Sequence, residues 1–219
     1  LKKGNSPLSV EEFETAAEET GALILDTRSA ADFHKGFVPN SINIGIKGDF
    51  APWVGAMIVD VQQPILLVSD EGTEEEVITR LSRVGFDNVL GYLKGSFEAW
   101  KNSGKETDEI KRISVEEFAD EFSEGVKVID VRKETEYEAE HIDEAYSKPL
   151  AYINDWVNSL DNSEHFYIHC AGGYRSMIAA SILQSRGYRN FTEIDGVFNA
   201  INKTGKFHLS NFVCQSKTL

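Results

Sequence analysis

Short apolar runs alternate along the chain with segments in which apolar residues recur at helical spacing, and the alternation is completed twice. In the second half, residues 126–130, 166–170 and 191–194 are brief apolar runs bounded by polar or glycine positions, the pattern of strands buried in a sheet. Ser114, followed three residues later by Glu117, forms a capping box that opens a helix over 115–122. A further helix over 176–186 is closed by Gly187. Strands that alternate with helices predict an α/β fold, with a central, mostly parallel sheet covered by helices on both faces.

The repetition extends to individual residues. Leu8-Ser-Val-Glu-Glu-Phe13 returns as Ile113-Ser-Val-Glu-Glu-Phe118, and Leu23-Ile-Leu-Asp-Thr-Arg28 as Lys127-Val-Ile-Asp-Val-Arg132. Gly95-Ser-Phe-Glu-Ala99 returns as Gly196-Val-Phe-Asn-Ala200. A repeat of about 100 residues is a duplicated domain, not the unit of a solenoid. The expected domains are 1–105 and 106–219, joined through the polar, glycine-containing stretch 102–111.

Composition narrows the partners. The 219 residues are 41% apolar and 26% charged, which suits a folded globular protein. Lys and Arg number 22 against 36 Asp and Glu, a net charge of −14 that speaks against nucleic acid or an anionic membrane as a partner. No apolar run approaches the roughly 18 residues of a membrane span. Leu1-Lys2-Lys3-Gly4 lacks a secretory stretch, so a cytoplasmic protein is expected, and the missing initial Met suggests a piece of a longer one. Two cysteines, Cys170 and Cys214, are too few for a disulfide scaffold; Cys214 lies in a short polar tail where no chemistry is expected.

Cys170 closes an apolar run and opens His169-Cys170-Ala171-Gly172-Gly173-Tyr174-Arg175-Ser176. A strand-to-helix turn with two glycines lets backbone N–H groups curl inward as an anion nest, the helix N-terminus adds partial positive charge, and Arg175 adds a full one. Such surroundings lower a thiol pKa from about 8.5 toward 7 or below. The competing reading is an inert, buried strand-end cysteine, which explains neither the glycines nor the arginine. A metal site at His165, His169 and Cys170 is disfavoured, because four strand residues span about 13 Å.

This loop resembles that of the rhodanese sulfurtransferases in tandem arrangement. Asp130-Val-Arg132, Glu136-Tyr137, His141-Ile142 and Asp195-Gly196 carry the resemblance over nearly the whole chain. It implies that Cys170 accepts a sulfane sulfur from thiosulfate or a persulfide and passes it to an acceptor thiol. Ala171, Gly172, Gly173, Tyr174 and Ser176 then form the cradle, with Arg175 as its basic residue. Asp130, Arg132 and His141 are read as structural. Glu140 departs from the family's glycine, and Asp143-Glu-Ala-Tyr from its usual turn. The rival chemistry is a cysteine phosphatase or arsenate reductase, whose loop separates Cys and Arg by five residues where this one has four. A non-catalytic interaction module is the remaining alternative. The pair also resembles the C-terminal rhodanese domains of fusions that begin with a metallo-β-lactamase-type domain, which implies iron or zinc upstream and no cofactor in this chain.

The first copy contains no cysteine. Ser69, or with a slip of one residue Val68 or Asp70, stands at the nucleophile position, followed by an acidic loop in which Thr73 and Glu76 suggest a capping box. The alternative is a regulatory, anion-repelling site, but acidic residues at a helix start favour the helix itself, so this copy is expected to scaffold, burying a face of the second copy or docking a partner. Residues 1–110 carry 10 basic and 19 acidic side chains, whereas 111–219 carry 12 and 17. The surplus thus lies mainly away from Cys170. Exposed charges beyond about 8 Å are screened, so a small sulfur anion remains compatible with the net charge.

Overall fold

The computed structural model describes residues 4–123, 125–196 and 198–211. Cys214 and the Phe212-Val-Cys-Gln segment lie outside the described residues, as does the start of the chain at Leu1, Lys2 and Lys3. The chain divides into two compact units. One comprises residues up to Ile110 with Ser181–Gly187, and the other Lys111–Ala180 with the chain from Tyr188 onward.

In the first unit the strands are β1 (Pro7–Leu8), β2 (Leu23–Asp26), β3 (Ile42–Asn43), β4 (Ile65–Val68) and β5 (Val89–Leu93). The helices are α1 (Val10–Thr20), α2 (Ala30–Phe33), α3 (Phe50–Met57), α4 (Glu74–Arg83) and α5 (Ser96–Asn102). The sheet order is β1-β5-β4-β2-β3, and every pairing is parallel.

The second unit repeats this order. Its strands are β6 (Arg112–Ser114), β7 (Val128–Asp130), β8 (Glu140–Ile142), β9 (Tyr146–Ser147), β10 (Phe166–His169), β11 (Phe191–Asp195) and β12 (Leu209–Asn211). Its helices are α6 (Val115–Glu121), α7 (Glu134–Ala139), α8 (Ile153–Trp156), the part of α9 (Tyr174–Ser185) that ends at Ala180, and α10 (Phe198–Lys203). The sheet runs β6-β11-β10-β7-β9, again wholly parallel. The α/β architecture expected from the sequence is therefore present twice, each sheet flanked by helices.

Local chemistry explains most boundaries. The capping box at Ser114 forms: its hydroxyl accepts from Glu117 N at 3.1 Å while Glu117 accepts from Ser114 N at 2.7 Å. Ser9 and Glu12 do the same at the start of α1. The box expected at Thr73 does not form. Thr73 Oγ1 instead donates back to the Asp70 carbonyl at 2.7 Å, and Glu76 pairs with Arg80 one turn on, at 2.6 Å. Strand β7 starts two residues later than the apolar run, β10 stops at His169, and α9 starts at Tyr174 instead of 176. Cys170 thus stands just beyond the strand, in the turn itself.

The core beside β10 is aromatic. Phe118, fully buried, stacks on Phe207 at 5.2 Å and meets Phe122 and Tyr167 at 5.5 and 4.8 Å. Tyr167 donates its hydroxyl to Glu121 at 2.6 Å, and burial together with that acceptor pushes the phenol up to about 12. Phe118→Ala is expected to cost about 3–5 kcal/mol of stability by leaving a cavity. Ser114→Ala is expected to cost about 1 kcal/mol by removing the cap. Urea denaturation of the two variants checks both the direction and the ranking.

Candidate active site

Strand order places the site. Beyond β7 the chain moves outward to β9, whereas beyond β10 it moves the other way to β11, so the carboxyl ends of β7 and β10 flank a topological switch point. Ligands of open α/β sheets bind at such points. The register pairs Asp130 with His169, and the Val131 N–H donates to the His169 carbonyl at 3.0 Å. The residues after Asp130 and those after His169 therefore emerge side by side.

Cys170 is 2% exposed. Its Sγ accepts the Gly173 N–H at 3.1 Å and lies 3.3 Å from Ser176 Oγ. The loop is tied down from the other side, because Phe198 N, in the first turn of α10, donates to the Ala171 carbonyl at 3.0 Å. Gly173 carries the turn, with φ at +80°. A Cβ there would stand 2.5 Å from Arg112 Nη2 and 3.1 Å from Asp195 Oδ1. Gly172 differs from expectation: it is exposed, its φ is not positive, and nothing lies within 4 Å of a Cβ built on it. One glycine, not two, bends the loop. Sulfur, backbone donor and the start of the twelve-residue helix α9 together make a place for a thiolate.

Arg175 follows this turn, but its guanidinium is engaged by Glu136, Nη1 and Nη2 donating to the two carboxylate oxygens at 2.6 and 2.9 Å. That bidentate pair lowers the Glu136 pKa and raises that of Arg175, with Cys170 a lesser contributor to the latter. The local positive charge is therefore partly spent within the protein. Tyr174, half-buried, opens α9.

Asp130 and Arg132 have the structural geometry anticipated for them. Arg132 Nε and Nη2 donate to the Asp130 carboxylate at 2.6–3.0 Å, Nη2 also reaches the Glu140 carbonyl at 2.7 Å, and the guanidinium covers the Phe198 ring at 3.7 Å. The first copy, with no cysteine, builds the same device. There Arg28 clasps Asp26, reaches the Gly36 carbonyl and lies over Phe97. A pair retained without the nucleophile belongs to the fold. His141 stacks on Tyr137 at 3.8 Å and sets Nδ1 2.7 Å from the Tyr137 carbonyl oxygen. The departure at Glu140 coincides with β8, whose extended backbone pairs antiparallel with β12.

The two histidines are separated as strand geometry requires. His165 Nε2 lies 3.0 Å from Thr192 Oγ1, whereas His169 is buried with Nδ1 3.3 Å from the Cys170 carbonyl oxygen. Burial lowers the pKa of both. In the first copy, Val68 pairs with Asp26 as His169 pairs with Asp130, so Ser69 occupies the position of Cys170 and neither slip applies.

Two residues beneath the loop were not anticipated. Glu193, wholly buried, accepts from Ser176 Oγ at 2.5 Å through Oε1 and from Arg112 Nε at 2.6 Å through Oε2. Arg112 Nη2 also pairs with Asp195 at 2.8 Å. The available signal was a lone carboxylate inside the apolar run 191–194, with an arginine at the start of the neighbouring strand.

The rhodanese-like domain family model matches residues 9–103 and 114–204. Over 96 residues the chain is 29% identical to the putative sulfur carrier protein YrkF of Bacillus subtilis, covering 43% of this chain and 52% of that protein. The chain thus spans about half the length of that relative. It is 32% identical over 96 residues to the thiosulfate sulfurtransferase GlpE of Pseudomonas entomophila, covering 44% of this chain and 88% of that protein. A solved rhodanese-like domain protein from Staphylococcus aureus shares 31% identity over 42% of this chain and 91% of its own, with a TM-score of 0.39. Matched in both halves, the chain belongs to the rhodanese-like domain family and carries two such domains in tandem.

Proposed function

We propose that the second domain is a sulfurtransferase that moves a sulfane sulfur from thiosulfate or a persulfide to an acceptor thiol through Cys170, while the first domain scaffolds. The observation that carries this reading is the placement of Cys170 Sγ on the Gly173 N–H, ahead of α9 and at the switch point of the sheet. The Cys170 thiolate attacks the outer sulfur of the donor. A new S–S bond to Sγ forms as the donor's bond breaks, and sulfite or a thiolate leaves with the electron pair. An acceptor thiolate then attacks the sulfur held on Cys170, and Sγ regains its negative charge. The cradle of Ala171, Gly172, Gly173, Tyr174 and Ser176 surrounds the transferred atom, and Arg175 contributes the remainder of its charge beyond Glu136. The spacing of four residues between Cys170 and Arg175 favours sulfur over a phosphoryl group. The relative with 32% identity bears the name thiosulfate sulfurtransferase, which supports the same class.

The proposal extends to context, on resemblance alone: the pair is the C-terminal part of a fusion whose metallo-β-lactamase-type domain holds iron or zinc and acts on persulfides or glutathione thioesters. A coding sequence upstream of Leu1 without a His-x-His-x-Asp-His cluster would remove that extension.

Incubation with thiosulfate or glutathione persulfide is expected to add one sulfur atom to Cys170, read by intact mass and peptide mapping. A thiol that alkylates normally yet gains no sulfur sinks the assignment. Cys170→Ser is expected to lose both adduct and turnover, and aryl phosphate should not be hydrolysed. Gly173→Ala forces a side chain into a left-handed backbone and against Arg112, and a displacement of about 1 Å at the nucleophile is expected to cost about 100-fold in kcat/KM. Steady-state assay of that variant alongside its thermal melt separates misplacement from unfolding.

A further inference from the structure

We infer that Glu193 is the proton acceptor for the Cys170 thiol, with the Ser176 hydroxyl carrying the proton between them. This rests on the sulfurtransferase reading only for its purpose; the proton path is a property of the resting protein.

The geometry is a continuous chain. Ser176 Oγ lies 3.3 Å from Cys170 Sγ and 2.5 Å from Glu193 Oε1, and all three residues are buried. A hydroxyl both accepts and donates, so it can pass a proton without either end reaching solvent. Arg112, with its side chain 6% exposed, holds the second carboxylate oxygen of Glu193. Arg112 and Asp195 are the charged groups acting on Glu193, and Cys170 is the titratable group across the Ser176 hydroxyl. In the transfer the Sγ–H bond breaks as that proton joins Ser176 Oγ, and the former hydroxyl proton moves to Glu193 Oε1. One negative charge shifts from carboxylate to sulfur. The sum is unchanged, and Arg112 remains its counter-ion throughout. Desolvation raises the Glu193 pKa to about 7, within the range where a carboxylate and a thiol can exchange a proton.

The duplicated domain supplies a comparison inside the same molecule. Register pairs Arg112 with Glu193 in the second sheet and Pro7 with Tyr92 in the first. The position of Ser176, six residues after Cys170, is Glu75 six residues after Ser69. The copy without the cysteine has therefore none of the three relay groups, although it keeps the Asp–Arg clasp, the capping box and the strand order. A buried ion pair is weak evidence for stability, since well-packed apolar residues serve a sheet as well or better. Its restriction to the copy that bears a thiol ties it to that thiol.

The test is the rate at which iodoacetamide alkylates Cys170 as a function of pH, followed on the Cys170 peptide by mass so that Cys214 does not contribute. Two groups sharing a proton titrate as a pair. The wild-type chain is expected to show two steps separated by a plateau in which one negative charge is divided between Sγ and Glu193. Glu193→Gln is expected to give one step. Ser176→Ala keeps the Glu193–Arg112 pair and removes the bridging hydroxyl, and it is expected to lower the plateau about tenfold, the worth of one hydrogen bond to a charged group. A one-step wild-type profile overturns the inference without recourse to any variant. So does a Gln variant that superimposes on wild type, or an unchanged plateau in Ser176→Ala. Because alkylation needs no sulfur donor, two steps without a sulfur adduct would keep the relay and dismiss the sulfurtransferase.

Discussion

The parallel register between β7 and β10 is the constraint on which the rest of the site depends. It sets Asp130 opposite His169, and from there the chain has little freedom. Arg132 must fold back on Asp130, because a buried carboxylate without a partner is costly, and Cys170 must enter the turn ahead of α9. The Val131 N–H to His169 carbonyl bond carries the pairing one residue past the strand ends. The first unit pairs Asp26 with Val68 in the same way, so an identical frame presents Ser69. The frame is therefore independent of the chemistry placed on it.

Comparison of the two copies divides the residues by what they do. Ser9 and Ser114 cap equivalent helices, Asp26–Arg28 matches Asp130–Arg132, and Gly72 and Gly173 share a left-handed backbone with φ of +85° and +80°. These are the costs of building the fold and of turning from a strand into a helix. Cys170, Ser176, Arg112 and Glu193 have no chemical counterparts at Ser69, Glu75, Pro7 and Tyr92. The acidic first turn of α4, with Glu74, Glu75 and Glu76, is compatible with its helix dipole and hostile to a thiolate. A single duplication thus separates scaffold from site without an alignment of other proteins.

Much of this was legible from local pattern. The capping box at Ser114, the strands ending near Asp130 and Cys170, and the turn glycine at 173 follow from spacing and residue type, since each acts within a few positions along the chain. What escaped was non-local. Arg112 and Glu193 are 81 residues apart and meet only because β6 and β11 are neighbours in the sheet. Likewise Glu136, 39 residues from Arg175, claims the guanidinium that sequence alone would assign to an anion. The Thr73 box failed for a local reason of another kind: Thr73 has a helical backbone, φ −100° and ψ −4°, where the capping residues Ser9 and Ser114 are extended, and Glu76 had Arg80 within reach. Spacing states which partners are possible; competition decides which are used.

The same competition bears on charge. A net of −14 would be expected to repel a sulfur anion, yet the charges around Cys170 are engaged with one another: Asp130 pairs with Arg132, Glu136 with Arg175, and Arg112 stands between the buried Glu193 and the exposed Asp195. Pairs of opposite sign present little field at a distance, and exposed carboxylates elsewhere are screened within about 8 Å. The immediate surroundings of Sγ are then what counts: the Gly173 N–H that donates to it, the start of α9, and the positive potential that Arg175 retains beyond Glu136. A negative sulfur formed inside this arrangement is best tolerated where another negative charge leaves as it appears. Glu193 is the carboxylate one hydroxyl removed from Sγ, and neutralising it by the thiol's own proton leaves the balance with Arg112 as it was.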